Sequence, residues 1–202
     1  MALIKPPRPG AGILYWTSEM HQNAPRYPTA TIALHWAMLL LLAAVYAAIN
    51  LREYFPKGSD IREGLKAWHF MLGLTVLVLV LGRIVLRLLA TTPPITPKPP
   101  VWQTLAARGV HLALYALMVA MPLAGWTILS AEGATIPFYG LDLPKLVAPD
   151  KPLADWLVEI HQTVGTIGYW LIGLHAAAAL AHHYFWKDDT LHRMLPWRQG
   201  AR

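Results

Sequence analysis

Cysteine is absent from all 202 residues, which rules out disulfides, thiolate-held clusters and covalent c-type haem attachment through C-x-x-C-H. Any metal chemistry must therefore use histidine or oxygen. Charge is scarce as well: 14% of the residues are Asp, Glu, Lys or Arg, against about 25% in soluble domains. A chain so poor in charge, and 55% hydrophobic, reads as a membrane protein.

What is present in quantity is long apolar sequence. Residues 31–49 (TIALHWAMLLLLAAVYAAI), 67–89, 110–129 and 160–185 form four such stretches. Each approaches the roughly 20 residues that a helix rising about 1.5 Å per residue needs to cross about 30 Å of hydrocarbon. The first stretch lies too deep in the chain, and is too long, for the h-region of a cleaved signal, so it reads as a retained span. The expected fold class is an all-α membrane protein, a bundle of four transmembrane helices. Residues 1–26 read as an amino-terminal cytoplasmic extension, 27–197 as the membrane domain and 198–202 as a cytoplasmic tail.

Connections are short and polar. ATTPPITPKPPVW, between spans two and three, cannot be helical, because proline lacks the amide donor and restricts the residue before it. PFYGLDLPKLVAPDKP, between spans three and four, also reads as loop. Pro122 predicts a kink in span three. Lys5, Arg8, Arg26, Arg83, Arg87, Lys98, Arg108, Lys187, Arg193, Arg198 and Arg202 fall on one side of the membrane, eleven of the seventeen basic residues. Arg52, Lys57, Arg62, Lys66, Lys145 and Lys151 fall on the other. Cytoplasmic flanks are enriched in Lys and Arg, so both termini are expected in the cytoplasm. The net charge of +6 is thereby explained by topology, and no aromatic–basic motif points to nucleic acid. The tryptophans mostly fall near the expected interfaces, where indole is favoured on ordinary grounds.

Histidines inside such spans are costly and therefore informative. From His161 to His175 is fourteen residues, which at about 100° each returns within about 40° of the starting direction and advances about 21 Å. Both imidazoles thus line one face near opposite leaflets, with Gly165 and Gly168 between them, where missing side chains leave room for a flat macrocycle. Antiparallel threading puts His35 of span one level with His175, and His69 of span two level with His161. A six-coordinate b-type haem needs two axial ligands, commonly supplied by facing helices. Two level pairs therefore predict two haem b groups held by His35 with His175 and by His69 with His161. Arg83, fourteen residues after His69, is the candidate partner for haem propionates. Taken singly, each histidine could be an interfacial side chain and each glycine an ordinary packing contact. Imidazole pairs also suit zinc, copper or nickel, which keeps a histidine-lined ion transporter open as a rival reading.

The stretches IALHWAML, IPFYGLDLP and above all GLHAAAALAHHYFWKDDTLHRMLP resemble the bacterial cytochrome b(561) membrane proteins, over residues 27 to 197. The resemblance implies the same ligand pairs, with His35 and His175 near the cytoplasm and His69 and His161 near the periplasm. It further implies a bacterial inner-membrane oxidoreductase passing single electrons from a periplasmic donor to ubiquinone. The best-known activity of the family is oxidation of superoxide to dioxygen. Related four-helix cytochromes serve instead as membrane subunits of hydrogenases or formate dehydrogenases. In the superoxide reading, Arg52, Lys57, Arg62 and Lys66 would draw the anion in, although Glu53, Asp60 and Glu63 are interspersed with them. His182, seven residues beyond His175, and His111 are the quinone candidates; His183 and His192 read as interfacial side chains.

Overall fold

The computed structural model describes residues 26–89 and 92–196. The amino-terminal extension except Arg26, the tail expected at 198–202, Trp16 and Trp197 lie outside the described residues. Four helices dominate the chain: α1 (Thr29–Leu51), α2 (Asp60–Leu89), α3 (Val101–Ala131) and α4 (Lys151–Ala181). Each is long and apolar enough to cross a membrane.

All four overrun the apolar stretches that announce them, for reasons visible at their ends. Pro28 and Pro100 immediately precede α1 and α3, where proline, with its fixed φ and missing amide, costs the helix nothing. The first turn of α2 carries Asp60 and Glu63, matched to the positive end of the helix dipole. Asp150 caps α4 by accepting a hydrogen bond from Leu153 N at 3.1 Å, with Pro152 in the first turn, so both cap and proline favour starting there. Pro122 lies inside α3, which runs through it without interruption.

Sequential helices pack on one another, α1 on α2, α2 on α3 and α3 on α4. Met38, Val76, Val80 and Met118 form one buried core between α1, α2 and α3. A second joins Leu74 and Leu129 to Ile136 from the α3–α4 connection. α4 contributes little to either, its buried residues being Ala154 and Gly168.

That connection departs from the loop expected there. Ile136–Phe138 (β1) and Leu141–Leu143 (β2) pair antiparallel, with Ile136 opposite Leu143. Tyr139 and Gly140 make the turn with φ of +49° and +88°, the two-residue geometry whose twist suits a hairpin. Pro137 hides the strand from a sequence reading, since proline is confined to sheet edges; a two-stranded ribbon has nothing but edges. The Tyr139 hydroxyl lies 3.0 Å from Thr75 Oγ1 on α2, and Trp126 Nε1 donates to Pro144 O at 2.9 Å. Between α1 and α2, Arg62 donates to the carbonyls of Arg52 and Phe55 at 2.9 and 3.1 Å.

The opposite end is closed by the carboxy-terminal segment. After α4 the helix widens into one π turn, His182–Trp186, and reverses at Lys187. The returning chain meets the proline loop, with Asp189 N donating to Thr96 O at 3.2 Å and Thr96 N to Asp189 Oδ1 at 3.0 Å. Arg193 donates to Pro93 O, and Trp36 Nε1 on α1 donates to Met194 O at 2.7 Å.

Candidate functional site

α4 presents its two histidines to two different helices. Near the hairpin end, His161 faces His69 of α2 with ring centroids 6.2 Å apart. Near the termini, His175 faces His35 of α1 at 6.1 Å. The two pairs are those expected from fourteen-residue spacing and antiparallel threading.

Their separations carry chemical information. A metal sits about 2 Å from a ligating imidazole nitrogen, itself about 1 Å from its ring centre, so two imidazoles sharing one ion stand about 6 Å apart. Both pairs have that spacing. Among the described residues no group of three or more His, Cys, Asp or Glu side chains could hold a metal ion. Each pair thus offers two ligands where a bare zinc wants four. An iron porphyrin, which brings ring nitrogens of its own, would need only two imidazoles from the protein.

His69 Nδ1 lies 3.1 Å from the carbonyl of Val45; a carbonyl only accepts, so Nδ1 carries the hydrogen and Nε2 is the nitrogen with a lone pair to offer. His161 Nδ1 is buried without a hydrogen bond, and Gly125 comes so close that a Cβ there would lie 3.6 Å from His161 Cε1. Gly73, one turn beyond His69, would put a Cβ in open space, which leaves that stretch of α2 accessible to a flat ring.

Gly165 and Gly168 do not serve as expected. A Cβ on Gly165 would meet Met121, and one on Gly168 would collide with the Tyr46 hydroxyl and press on Leu117 at 3.3 Å. Tyr46 Oη donates to Gly165 O at 2.9 Å, and Asn50 Nδ2 to Tyr169 Oη at 2.5 Å. The glycines therefore admit side chains from α1 and α3, and they set the α1–α4 spacing midway between the histidine pairs.

Arg83 keeps its expected availability. Its Nε donates to Tyr115 Oη at 3.2 Å, while Nη1 is buried without a hydrogen bond, an orphan donor suited to a carboxylate. His111 is brought beside the pair near the termini, 5.3 Å from His175. His182 is placed elsewhere: its ring lies against Trp186 at 4.9 Å and its Nδ1 donates to Asp188. His183 and His192 face each other at 5.0 Å.

Two groups escaped the sequence reading. Tyr46 looks like one more interfacial aromatic. Asp188, Asp189 and Arg193 are 3%, 1% and 3% exposed although they sit in a polar terminal stretch; the i,i+4 spacing of Asp189 and Arg193 was the available signal.

The family model described as prokaryotic cytochrome b561 matches residues 26–197. Cytochrome b561 homolog 1 of Escherichia coli (strain K12) is 40% identical over 174 residues, covering 86% of this chain and 99% of the relative. A protein of Yersinia pestis named probable superoxide oxidase CybB is 39% identical over 176 residues, 87% of this chain and 98% of that one. Cytochrome b561 homolog 2 of Escherichia coli (strain K12) is 30% identical over 182 residues, 86% and 93% of the respective lengths. With four helices long and apolar enough to span a membrane, this chain belongs to the prokaryotic cytochrome b561 family of membrane electron-transfer proteins, which use b-type haem.

Proposed function

We propose that the protein is a di-haem superoxide:quinone oxidoreductase of the bacterial inner membrane, with both termini in the cytoplasm. His69 and His161 hold the periplasmic haem, and His35 and His175 the cytoplasmic one, with Arg83 Nη1 for a propionate. When bound, two such haems supply one-electron steps between the faces of the membrane. The observation that carries the reading is the two histidine pairs, each spaced for one metal and each with one member on α4.

In the overall reaction two superoxide anions each give up one electron and leave as dioxygen; ubiquinone takes both electrons with two protons and leaves as quinol. Superoxide as donor is supported by the Yersinia pestis relative's printed name. At the cytoplasmic end the chain supplies His182 for the quinone carbonyl and its proton, with His111 beside the inner pair as the second candidate.

The periplasmic cations divide into two sets. Arg52 Nε and Arg62 Nη2 lie 3.0 and 3.2 Å from the Glu53 carboxylate, so their charge is shared with an acid and Arg62 also pins the loop. Lys57 is exposed, and Lys66 lies 5.8 Å from the Phe70 ring centroid. These two carry the steering, and changing both to glutamine is expected to lower the superoxide rate about tenfold at low salt and flatten its salt dependence. An unchanged salt slope would remove steering from the account.

Stopped-flow mixing tests the whole reading. Superoxide should reduce the purified holoprotein, and added ubiquinone should reoxidise it. Haem that superoxide leaves oxidised, but that a periplasmic dehydrogenase reduces, would make this an anchor subunit instead.

A further inference from the structure

Asp188 stands where an acid is out of place. It follows the end of a long helix, where the carbonyl ends of the peptide dipoles repel a carboxylate, and it is 3% exposed, which costs solvation. Its position is nonetheless built with care. The π turn widens the last helical turn at His182–Trp186, and Lys187 adopts φ +51° and ψ +38°, a left-handed conformation that disfavours a residue with a side chain. This reversal brings Asp188 back over the turn it has just left, with its N–H on His182 O at 3.2 Å.

Both carboxylate oxygens are then assigned. Oδ1 accepts from Thr190 N at 2.9 Å, and Oδ2 accepts from His182 Nδ1 at 2.5 Å. The neighbouring Arg193 does not share the work, because it is occupied with Asp189 and Pro93 O. The segment is fixed from outside as well, through Thr96 in the proline loop and Trp36 on α1. Asp188 is therefore a fixed acceptor, held by Thr190 N through Oδ1 and turned to the His182 imidazole through Oδ2.

We propose that Asp188 is the positioning residue of the quinone site, holding His182 in the orientation that passes protons to the reduced quinone. The inference rests on the reading of His182 as the quinone contact. With Nδ1 tied to the carboxylate, Nε2 is the nitrogen left to face the substrate. Twice for each quinone that takes two electrons, the Nε2–H bond of the His182 imidazolium breaks and a quinone O–H bond forms. Before each transfer the ring takes up one hydronium proton from the cytoplasmic side, and the carboxylate opposite Nδ1 supplies the counter-charge while the ring is cationic.

The test uses reduced holoprotein mixed with a short-chain ubiquinone in H2O and in D2O. Asp188→Asn should slow reoxidation about 10–100-fold, the range lost when a group that orients a functional histidine is removed, and should enlarge the solvent isotope effect. Its haem spectrum and its reduction by superoxide should match wild type. Asp188→Glu, with the carboxylate displaced by one methylene, should fall between the two. A purely structural Asp188 would leave the isotope effect at its wild-type size. Wild-type rate and isotope effect in Asp188→Asn, or in Asp188→Glu should the Asn variant fail to fold, overturn the proposal. Wild-type protein whose reduced haem ubiquinone does not reoxidise would instead remove the quinone reading, and this inference with it.

Discussion

His161→Leu is expected to purify with one haem per chain instead of two, and to oxidise superoxide more than a hundredfold slower. The reasoning is local. His161 supplies half of the outer pair, 6.2 Å from His69, and among the described residues no group of three or more potential ligand side chains offers a substitute. Loss of an outer-sphere partner alone lowers metal affinity about 10–100-fold, so loss of an axial ligand should exceed that. The inner pair, held by α1 and the far end of α4, should keep its haem. His111→Leu is the control: its ring lies 5.3 Å from His175, yet two haems should remain. Pyridine haemochrome quantification per chain checks both variants, and His161→Leu retaining two haems would mean the outer pair is not a ligand pair.

Gly168→Ala should be the most damaging methyl group in the bundle. Its Cβ would collide with the Tyr46 hydroxyl and sit 3.3 Å from Leu117, and Tyr46 cannot swing away without losing its bond to Gly165 O. Overpacking of this kind costs about 1–3 kcal/mol. The distinguishing expectation is coupling. Tyr46→Phe alone loses one hydrogen bond, about 1 kcal/mol, but it also removes the clashing oxygen, so the double variant should be more stable than the two single effects predict. A thermal melt of the four proteins measures the cycle, and strict additivity would show that this contact does not set the α1–α4 spacing.

The membrane architecture was legible because hydrophobic length is a one-dimensional property: residues 31–49 and 67–89 announce α1 and α2 without knowledge of any neighbour. The histidine pairs were legible because helical period and antiparallel threading are nearly rigid geometry, so fourteen residues on α4 map onto levels of α1 and α2. What lay hidden depended on contacts between distant segments. Gly165 and Gly168 were seen as small and inward-facing, but only the fold shows that Tyr46, Leu117 and Met121 fill the space a macrocycle was expected to take. The hairpin was masked by Pro137, whose missing amide matters less at an edge than inside a sheet. Asp188 was invisible for a different reason: the left-handed turn that returns it to His182 falls on Lys187, where neither glycine nor asparagine marks it. Arg52 and Arg62 stand in the sequence as steering candidates with Glu53, Asp60 and Glu63 among them; the fold commits both to Glu53.

The most direct test of two imidazole-clamped porphyrins is haem quantification on the purified wild-type chain, read together with low-temperature electron paramagnetic resonance of the oxidised protein. The account predicts two haem b per polypeptide, both six-coordinate and low-spin, as nitrogen ligation on both faces requires. A single haem, or a high-spin five-coordinate signal from either, would contradict it.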